Sequence, residues 1–451
     1  MQATGVMRDV QAERVLVVGL GRTGLSCVRY LHGQGVDVAV TDSRETPPEL
    51  PTLQRELPEV PVFLGGFDPA AFAGADRIVV SPGVPLSHPL IAEARARGTE
   101  VVGDIELFAR AARAPIVAIT GSNGKSTVTT LVYEMAREAG LEARAGGNLG
   151  TPALELLDGR EPDLYVLELS SFQLEAVETL QARVAAILNL SADHLDRYSG
   201  MPQYRAAKAR IFRHAEVQVA NRDDPAVMAL VDPNRPLLGF TLGRPRPGDY
   251  GLLHRDGRPW LARGDEPLLC ADQLRLAGRH NLANALAALA LAAVAGIPDA
   301  PALRTLRRFA GLPHRCQWVA RIRGVDWYDD SKGTNVGATV AALGGFDRPV
   351  VLIAGGRDKG ADFTELREAV CAGARALVLI GEARGKLAAA VGRCVPVVFA
   401  DSMEAAVARA AELARPGDAV LLSPACASFD MFRDYRERGD RFIEAVRRLE
   451  E

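Results

Sequence analysis

The stretch of residues 120–126, TGSNGKS, combines glycines, a lysine and hydroxyl side chains in a spacing that suits phosphate binding. A β-branched run precedes it and a helical pattern follows it, which is the setting in which such a loop holds a nucleotide. Glycines let backbone N–H groups approach phosphate oxygens, and a lysine can reach the β- and γ-phosphates. Ile119 stands where the general pattern has its first glycine, so an ordinary strand–turn–helix connection is the alternative. We predict an ATP loop formed by Gly121, Ser122, Asn123, Gly124, Lys125, Ser126 and Thr127.

A second glycine-rich turn, GLGRTG at residues 19–24, follows the apolar run at residues 15–18, and Asp42 ends the next β-branched run. This is the spacing of a dinucleotide-binding turn, in which an acid about 20 residues further on contacts a ribose. The same turn holds any diphosphate, including that of a nucleotide sugar. The residues alone therefore leave three interpretations: the NAD site of a dehydrogenase, a site for another nucleotide-type ligand, and a structural turn.

Further polar residues follow the predicted strands beyond the phosphate loop. Glu168 closes the run LYVLE, and His194 stands between Asp193 and Asp196 just past the next apolar run. The carboxyl ends of parallel strands converge on one crevice, where an acid at a strand end is a Mg²⁺ partner. The sequence therefore favours a functional site here over ordinary strand-end acids. Lys208, within the helical pattern of residues 202–212, is by itself an ordinary solvated lysine.

These groups must be positioned by more than one domain, because 451 residues exceed what a single core supports. Short β-branched runs alternate with helical patterns along most of the chain, which predicts parallel sheets covered by helices. The polar stretch 244–259 breaks the alternation and suggests a small antiparallel insertion, and residues 283–295 predict a buried Ala/Leu helix. We predict three domains, at residues 1–105, 106–312 and 313–451.

Composition excludes several classes of protein. A net charge of −3 gives no electrostatic case for nucleic acid or an anionic membrane as a partner. No apolar run has the ~20 residues of a membrane span, and residues 1–13 lack the apolar core of a secretory signal. The six cysteines form no C-x-x-C pair, so neither a disulfide framework nor a zinc site is indicated. We expect a cytoplasmic protein.

Taken in order, the motifs resemble those of the Mur ligase family over essentially the whole chain. They are TGSNGKST at residues 120–127, GGNLG at 146–150, ELSSFQ at 168–173, Asp193–His194, Lys208, HNxxN at 280–284 and LPHR at 312–315. The set is far more specific than any one motif. It implies an α/β fold with a Rossmann-like N-terminal domain, a central P-loop ATPase-like domain with a mostly parallel sheet, and a Rossmann-like C-terminal domain.

Three motifs of the last third, DDSKGTN at residues 329–335, GGRDKGADF at 355–363 and LSPACASFD at 422–430, resemble the D-glutamate-adding members. The resemblance implies ligation of D-glutamate to UDP-N-acetylmuramoyl-L-alanine through an acyl phosphate, with ATP and two Mg²⁺ ions, by a monomer. A sister ligase of other amino-acid specificity, an NAD-dependent dehydrogenase and a nucleotide-binding regulator are the alternatives.

The resemblance also implies roles for individual residues. Its catalytic residues would be Lys125, His194, Lys208 and Lys332, and further ATP contacts would come from Asn281, Asn284, Arg315 and Asp330. The UDP-linked substrate would lie against Gly21, Arg22, Thr23, Asp42, Ser43, Arg44, Ser81, Gly83, Asn148 and Gln173. D-Glutamate would contact Thr334, Lys359, Ser428, Phe429 and Tyr435, the last departing from an expected Phe. Ser126 and Glu168 would serve one Mg²⁺, and His194 with a carbamylated Lys208 would serve the second.

Overall fold

The computed structural model describes residues 13–148, 150–194, 197–275 and 278–449. Strands and helices alternate along most of this length and form three mainly parallel sheets, which confirms the predicted α/β class. The residues pack into two compact units. Among the described residues, the first unit is drawn from those within 13–118, 142–183 and 207–215, and the second from those within 119–141, 184–206 and 216–449. The three predicted domain boundaries remain predictions.

The first sheet has five parallel strands in the order β3-β2-β1-β4-β5. Its strands are β1 Arg14–Val18, β2 Asp37–Thr41, β3 Val62–Phe63, β4 Arg77–Val80 and β5 Glu100–Val102. The helices around it are α1 Arg22–Gly33, α2 Leu50–Glu56, α3 Pro69–Gly74, α4 Pro89–Ala96 and α5 Asp104–Ala111. Because β1 lies in the middle of the sheet with residues 15–18 buried, the glycine turn that follows it opens at the carboxyl edge of the sheet.

The second sheet has nine strands in the order β14-β13-β12-β11-β10-β9-β6-β8-β7. Its strands are β6 Ile116–Thr120, β7 Ala143–Gly147, β8 Leu164–Glu168, β9 Val184–Ile187, β10 Val217–Asn221, β11 Leu237–Phe240, β12 Tyr250–Arg255, β13 Arg258–Arg263 and β14 Glu266–Cys270. Its helices are α6 Lys125–Glu138, α7 Ser171–Leu174, α8 Met201–Ala209, α9 Pro225–Met228, α10 Arg279–Val294 and α11 Asp299–Arg308. The last three strands are the predicted antiparallel insertion, which continues about ten residues past its expected end.

The third sheet has six strands in the order β15-β16-β20-β17-β18-β19; β15 pairs antiparallel with β16, and the other neighbours pair in parallel. Its strands are β15 Gln317–Ile322, β16 Val325–Asp329, β17 Val350–Gly355, β18 Ala374–Ile380, β19 Val397–Phe399 and β20 Ala419–Leu422. Its helices are α12 Val336–Leu343, α13 Thr364–Gly373, α14 Arg384–Val391, α15 Met403–Leu413 and α16 Tyr435–Arg447. Apolar clusters pack on both faces of the sheet, as buried parallel strands require.

The Ala/Leu helix predicted at residues 283–295 is the buried part of α10, whose residues 284–292 are all buried. Small side chains let this helix approach its neighbours closely, and it packs against α6, the helix that follows the phosphate loop. Within the described ranges, no helix has both the length and the hydropathy needed to cross a membrane.

One cysteine pair departs from the sequence-based expectation. A disulfide joins Cys371, near the end of α13, to Cys394, which follows α14. The two residues are 23 positions apart and carry no motif, so nothing in their spacing indicated the pairing.

Candidate active site

The phosphate loop has the geometry that its glycines predict. Gly124 caps α6 with a φ of +82°, and Gly121 has a φ of +155°. A Cβ atom on Gly124 would collide with Oδ1 of Asn284, which lies on α10. Lys125 is the first residue of α6, and its Nζ donates to the carbonyl oxygens of Gly121 at 2.8 Å and Ser122 at 2.9 Å. The loop and the N-terminus of α6 therefore bring backbone N–H groups together, and such a group of donors suits the binding of an anion.

Asn189, just after the end of β9, holds the loop in this shape. Its backbone oxygen accepts from the Ser122 N–H at 3.0 Å, and its Oδ1 accepts from the Asn123 N–H at 2.8 Å. Its Nδ2 donates in turn to the Asn123 carbonyl oxygen at 3.0 Å. The loop is thus fixed by an asparagine that the sequence analysis did not single out, because an amide at a strand end carries no recognisable signal.

A cleft of about 360 Å³ opens beside the loop within the second unit. Eight of the predicted residues line it: Asn123, Gly124, Thr127, Asn281, Asn284, Arg315, Asp330 and Lys332. Gly121, Ser122, Lys125 and Ser126 belong to the same loop and helix start but are not among the lining residues. Lining residues that were not predicted include Asn189, Asn221, Asp224, Phe240 and His280. Polar groups and an aromatic ring thus share the cleft, as a nucleoside phosphate site requires.

Arg315 and Asp330 reach the cleft from residues C-terminal to α11. Arg315 Nη2 donates to the Ser126 hydroxyl at 2.6 Å. Asp330 accepts from the Cys316 N–H at 3.1 Å and from the Ser423 hydroxyl at 2.7 Å. Burial raises the pKa of Asp330 to about 7 despite these bonds.

A cluster of polar side chains surrounds Asp193. Its carboxylate lies 3.0 Å from Lys359 Nζ, 3.1 Å from Asn335 Nδ2 and 3.6 Å from His194 Nε2. Burial acts to raise the pKa of Asp193, but the charges of Lys359 and His194 outweigh it, and the net pKa is lowered. His194 has a φ of +55°, an uncommon backbone conformation of the kind found at functional sites. Asp196 lies outside the described residues.

None of the residues predicted for D-glutamate is among those that line the cleft beside the phosphate loop. Lys332 Nζ lies 4.1 Å from the centre of the Tyr435 ring, a cation–π distance. Ser428 is buried, whereas Phe429 is 67% exposed. Thr334 is half-buried and donates its N–H to the Lys332 carbonyl oxygen at 2.8 Å.

A second cleft, of about 470 Å³, lies within the first unit. All ten residues predicted for the UDP-linked substrate line it: Gly21, Arg22, Thr23, Asp42, Ser43, Arg44, Ser81, Gly83, Asn148 and Gln173. The glycine turn after β1 and the start of α1 form one side of it. A lining that includes two arginines together with hydroxyl and amide side chains suits a diphosphate-bearing ligand.

The contacts of Asp42 bear on the NAD interpretation of this turn. Its carboxylate accepts from the Leu20 N–H at 2.7 Å, and from the Arg44 N–H, Nε and Nη2 at 2.9, 2.9 and 2.7 Å. A carboxylate has about four acceptor sites, so a ribose hydroxyl would have to displace one of these donors. Asp42 thus secures the turn and orients Arg44 rather than offering a ready ribose site.

The close packing of this turn predicts a stability difference between two glycines of α1. A Cβ on Gly24 would collide with the carbonyl oxygen of Gly19, whereas a Cβ on Gly33 meets nothing. We expect Gly24→Ala to lower the free energy of unfolding by about 1–3 kcal/mol, as overpacking does. Gly33→Ala, the control, should leave it unchanged or raise it by up to about 1 kcal/mol through helix propensity. Denaturant unfolding measures both, and equal effects would contradict the packing argument.

The predicted metal ligands have different surroundings. Glu168 ends β8 and is buried, its Oε1 accepts from Asn148 Nδ2 at 2.6 Å, and its Oε2 has no hydrogen-bond partner among the described residues. Lys208, near the end of α8, is 1% exposed. Within the part of the chain that the structure describes, no three His, Cys, Asp or Glu side chains form a metal-binding group. A metal site here would therefore also need ligands of other kinds.

Models of known protein families match most of the chain. The N-terminal domain of MurD-like Mur ligases matches residues 13–103, the Mur ligase middle domain residues 119–292, and the glutamate ligase domain of Mur ligases residues 314–426. The chain belongs to the Mur ligase family. The three matches, with the three sheets, confirm the predicted three-domain fold of a Mur ligase.

Two relatives are similar to this Mur ligase over nearly their whole length. A UDP-N-acetylmuramoylalanine–D-glutamate ligase of Nitrosococcus oceani is 56% identical over 436 residues, which is 96% of each chain. The protein of that name in Pseudomonas aeruginosa is 52% identical over 438 residues, 96% of this chain and 98% of its own.

Solved structures share the fold at low sequence identity. The MurF ligase of Thermotoga maritima in complex with ADP superposes with a TM-score of 0.61 at 18% identity, covering 98% of this chain and 96% of its own. The UDP-N-acetylmuramate–alanine ligase MurC of the same organism gives 0.60 at 19% identity, covering 96% and 99%. These similarities establish the architecture of this Mur ligase and leave its substrate to other observations.

Proposed function

We propose that this Mur ligase uses ATP to join D-glutamate to UDP-N-acetylmuramoyl-L-alanine in peptidoglycan biosynthesis. The observation that carries the proposal is the identity of 52–56% to D-glutamate ligases of that substrate over about 96% of the chain. The two clefts support it, since one adjoins a phosphate loop and the other is lined by polar residues around a diphosphate-type turn. The use of ATP and a UDP-linked substrate favours the cytoplasm, and we propose a monomer.

The reaction must overcome the inertness of a carboxylate towards an amine. The terminal alanine carboxylate attacks the γ-phosphorus of ATP, which gives an acyl phosphate and ADP. The neutral amine of D-glutamate then adds to the acyl carbon, and the tetrahedral intermediate expels phosphate as the nitrogen loses its proton. Each step brings anionic groups together, so fixed cations and aligned N–H groups supply most of the catalysis.

The phosphate loop and its neighbours would hold ATP during the first step. Lys125 would exchange its two carbonyl contacts for β- and γ-phosphate oxygens, while the loop amides cradle the phosphates. Arg315 and Lys332 line the same cleft and add positive charge, and Asn281 and Asn284 would contact the adenosine. Because Arg315 already donates to Ser126, loading of the nucleotide would loosen that bond.

Mg²⁺ would neutralise phosphate charge during the transfer. Glu168 fits such a role, because its Oε2 is a buried carboxylate oxygen without a hydrogen-bond partner among the described residues, and hard oxygen ligands suit Mg²⁺. Ser126 offers a hydroxyl at the start of α6. His194 would serve a second ion together with Lys208.

Lys208 can take part only after modification, because an ammonium group has no lone pair for a cation. In its neutral form the amine nitrogen would add to the carbon of CO₂ and release one proton, which leaves a carbamate whose single negative charge is shared by two oxygens. Lys208 is 1% exposed, so a carbamate formed on it would be shielded from solvent.

D-Glutamate would be bound by Thr334, Lys359, Ser428, Phe429 and Tyr435. Lys359 Nζ donates to the Asp193 carboxylate at 3.0 Å, and this contact with an anion supports the proposal. The Tyr435 ring supports Lys332, a role that the expected Phe would also fill. Its hydroxyl is therefore dispensable in this proposal.

Phosphate release tests the proposal. The purified protein is expected to release phosphate from ATP only when UDP-N-acetylmuramoyl-L-alanine and D-glutamate are both present. L-Glutamate, other amino acids and other UDP-muramoyl precursors are the matched controls. A nucleotide-dependent regulator would hydrolyse ATP without them, and a sister ligase would prefer another amino acid; either result would refute the assignment.

A further inference from the structure

Gln173 lines the second cleft, and its amide is held on both sides. It lies on the short helix α7, where its Oε1 accepts from the Ser170 N–H at 3.1 Å and from the Ser170 hydroxyl at 3.2 Å. Its Nε2 donates to Oδ2 of Asp104 at 2.9 Å. The oxygen side of the amide thus meets donors and the nitrogen side meets an acceptor, so one of its two flip states is favoured.

Asp104 is the first residue of α5 and is 1% exposed. It is not among the residues that line the substrate cleft, but it lines a small cavity behind it together with Ser81 and Gln173. Burying a carboxylate is costly unless its bonds repay the loss of solvation. Burial raises the pKa of Asp104 to about 6, so it is mainly ionised at neutral pH.

We propose that Asp104 is a positioning residue that orients the Gln173 amide for the UDP-linked substrate. The carboxylate can only accept a hydrogen bond, so it fixes Nε2 on its own side and keeps Oε1 on Ser170. The bond from Nε2 to an ionised carboxylate is also roughly twice as strong as a neutral one. This inference rests on the proposed function, in which Gln173 contacts the muramoyl-peptide part of the substrate.

Glu106 provides a matched control on the same helix. It is also buried, but its carboxylate accepts from the backbone N–H groups of Glu178 and Thr179 at 2.8 and 2.9 Å. It is not among the residues lining either cleft. Glu106→Gln and Asp104→Asn are therefore the same chemical change at equal depth, and only the second touches Gln173.

The experiment measures KM for each of the three substrates, kcat and thermal stability. Asp104→Asn should raise the KM for the UDP precursor about tenfold, since the charge-assisted bond from Gln173 Nε2 becomes a neutral one and holds the amide less firmly. The KM values for ATP and D-glutamate should stay within about twofold. Glu106→Gln should lower the melting temperature without raising the precursor KM. Equal changes in all three KM values, or the same precursor effect in Glu106→Gln, would overturn the proposal.

Ser170→Ala tests the same positioning role if Asp104→Asn does not fold. It removes one donor from the same amide and leaves Asp104 in place, so a smaller rise in the precursor KM is expected, and an unchanged KM counts against the inference. Wild-type kinetics in both Asp104→Asn and Ser170→Ala would refute the positioning role alone. Wild-type protein without precursor-dependent turnover refutes the proposed function itself.

Discussion

Replacing Lys125 with alanine is expected to lower kcat/KM for ATP by about 100- to 1000-fold, the loss typical of one preorganised transition-state donor. Its ammonium group sits at the start of α6, next to the loop amides, and is bonded to carbonyl oxygens that phosphate oxygens would replace. Lys125→Arg should restore little of this activity, because the close-packed loop accommodates a slim ammonium side chain better than a broad, planar guanidinium. Steady-state phosphate release with varied ATP measures the effect.

Lys386→Ala is the control for this variant. It is the one lysine of the sequence outside the predicted site, and in the structure it is exposed and paired with Asp358 at 2.8 Å. Its removal should leave activity within about twofold of wild type. If Lys125→Ala is as active as Lys386→Ala, the loop does not hold the nucleotide in the manner proposed.

Replacing Lys208 with alanine should abolish most activity, and short-chain carboxylates such as acetate should restore part of it. The free carboxylate would occupy the space of the missing carbamate and return its anionic oxygens. Lys208→Arg should be inactive, with or without acetate, because a guanidinium cannot be carbamylated although it keeps the positive charge. Turnover across a range of acetate concentrations measures rescue.

Labelled bicarbonate gives an independent view of Lys208. Wild-type protein should show a carbamate carbon signal by nuclear magnetic resonance that is missing from Lys208→Ala and retained in Lys386→Ala. Full activity in Lys208→Ala, or in Lys208→Arg, would show that no modified lysine is needed.

The distribution of lysine is a sequence signal that motif analysis did not use. The chain has 53 basic residues, of which only five are lysines, at positions 125, 208, 332, 359 and 386. Arginine therefore serves nearly every solvated position, and four of the five lysines fall in the predicted site. Arginine cannot supply a compact ammonium group or a reactive amine. The rarity of lysine therefore marks Lys208 as a candidate functional residue even without a family comparison.

Local sequence patterns predict those secondary-structure elements whose conformation depends on neighbouring residues. The strand, glycine loop and helix around residues 116–138 were recognised because each glycine answers a backbone requirement that is visible in the sequence, such as the positive φ of Gly124. The ten residues that the motifs predict for the UDP-linked substrate all line the second cleft. Their binding roles remain predictions.

Contacts between distant parts of the chain could not be predicted in this way. The bond from Arg315 to Ser126 joins residues 189 positions apart, and the contact between Asp104 and Gln173 spans 69 positions. Asp104 looks in sequence like an acid favouring the first turn of a helix, and only its burial against Gln173 suggests another role. Strand register and tertiary packing determine which distant side chains meet, and local residue types do not reveal either.

Transfer of an isotope tests the central claim, activation of a carboxylate by ATP, most directly. The UDP-N-acetylmuramoyl-L-alanine substrate is labelled with heavy oxygen at its terminal carboxylate, and the released phosphate is analysed by mass spectrometry. The acyl-phosphate route predicts one labelled oxygen in each phosphate, because the bridging oxygen leaves with phosphorus when the amine displaces it. Unlabelled phosphate, formed alongside the D-glutamate adduct, would contradict this account.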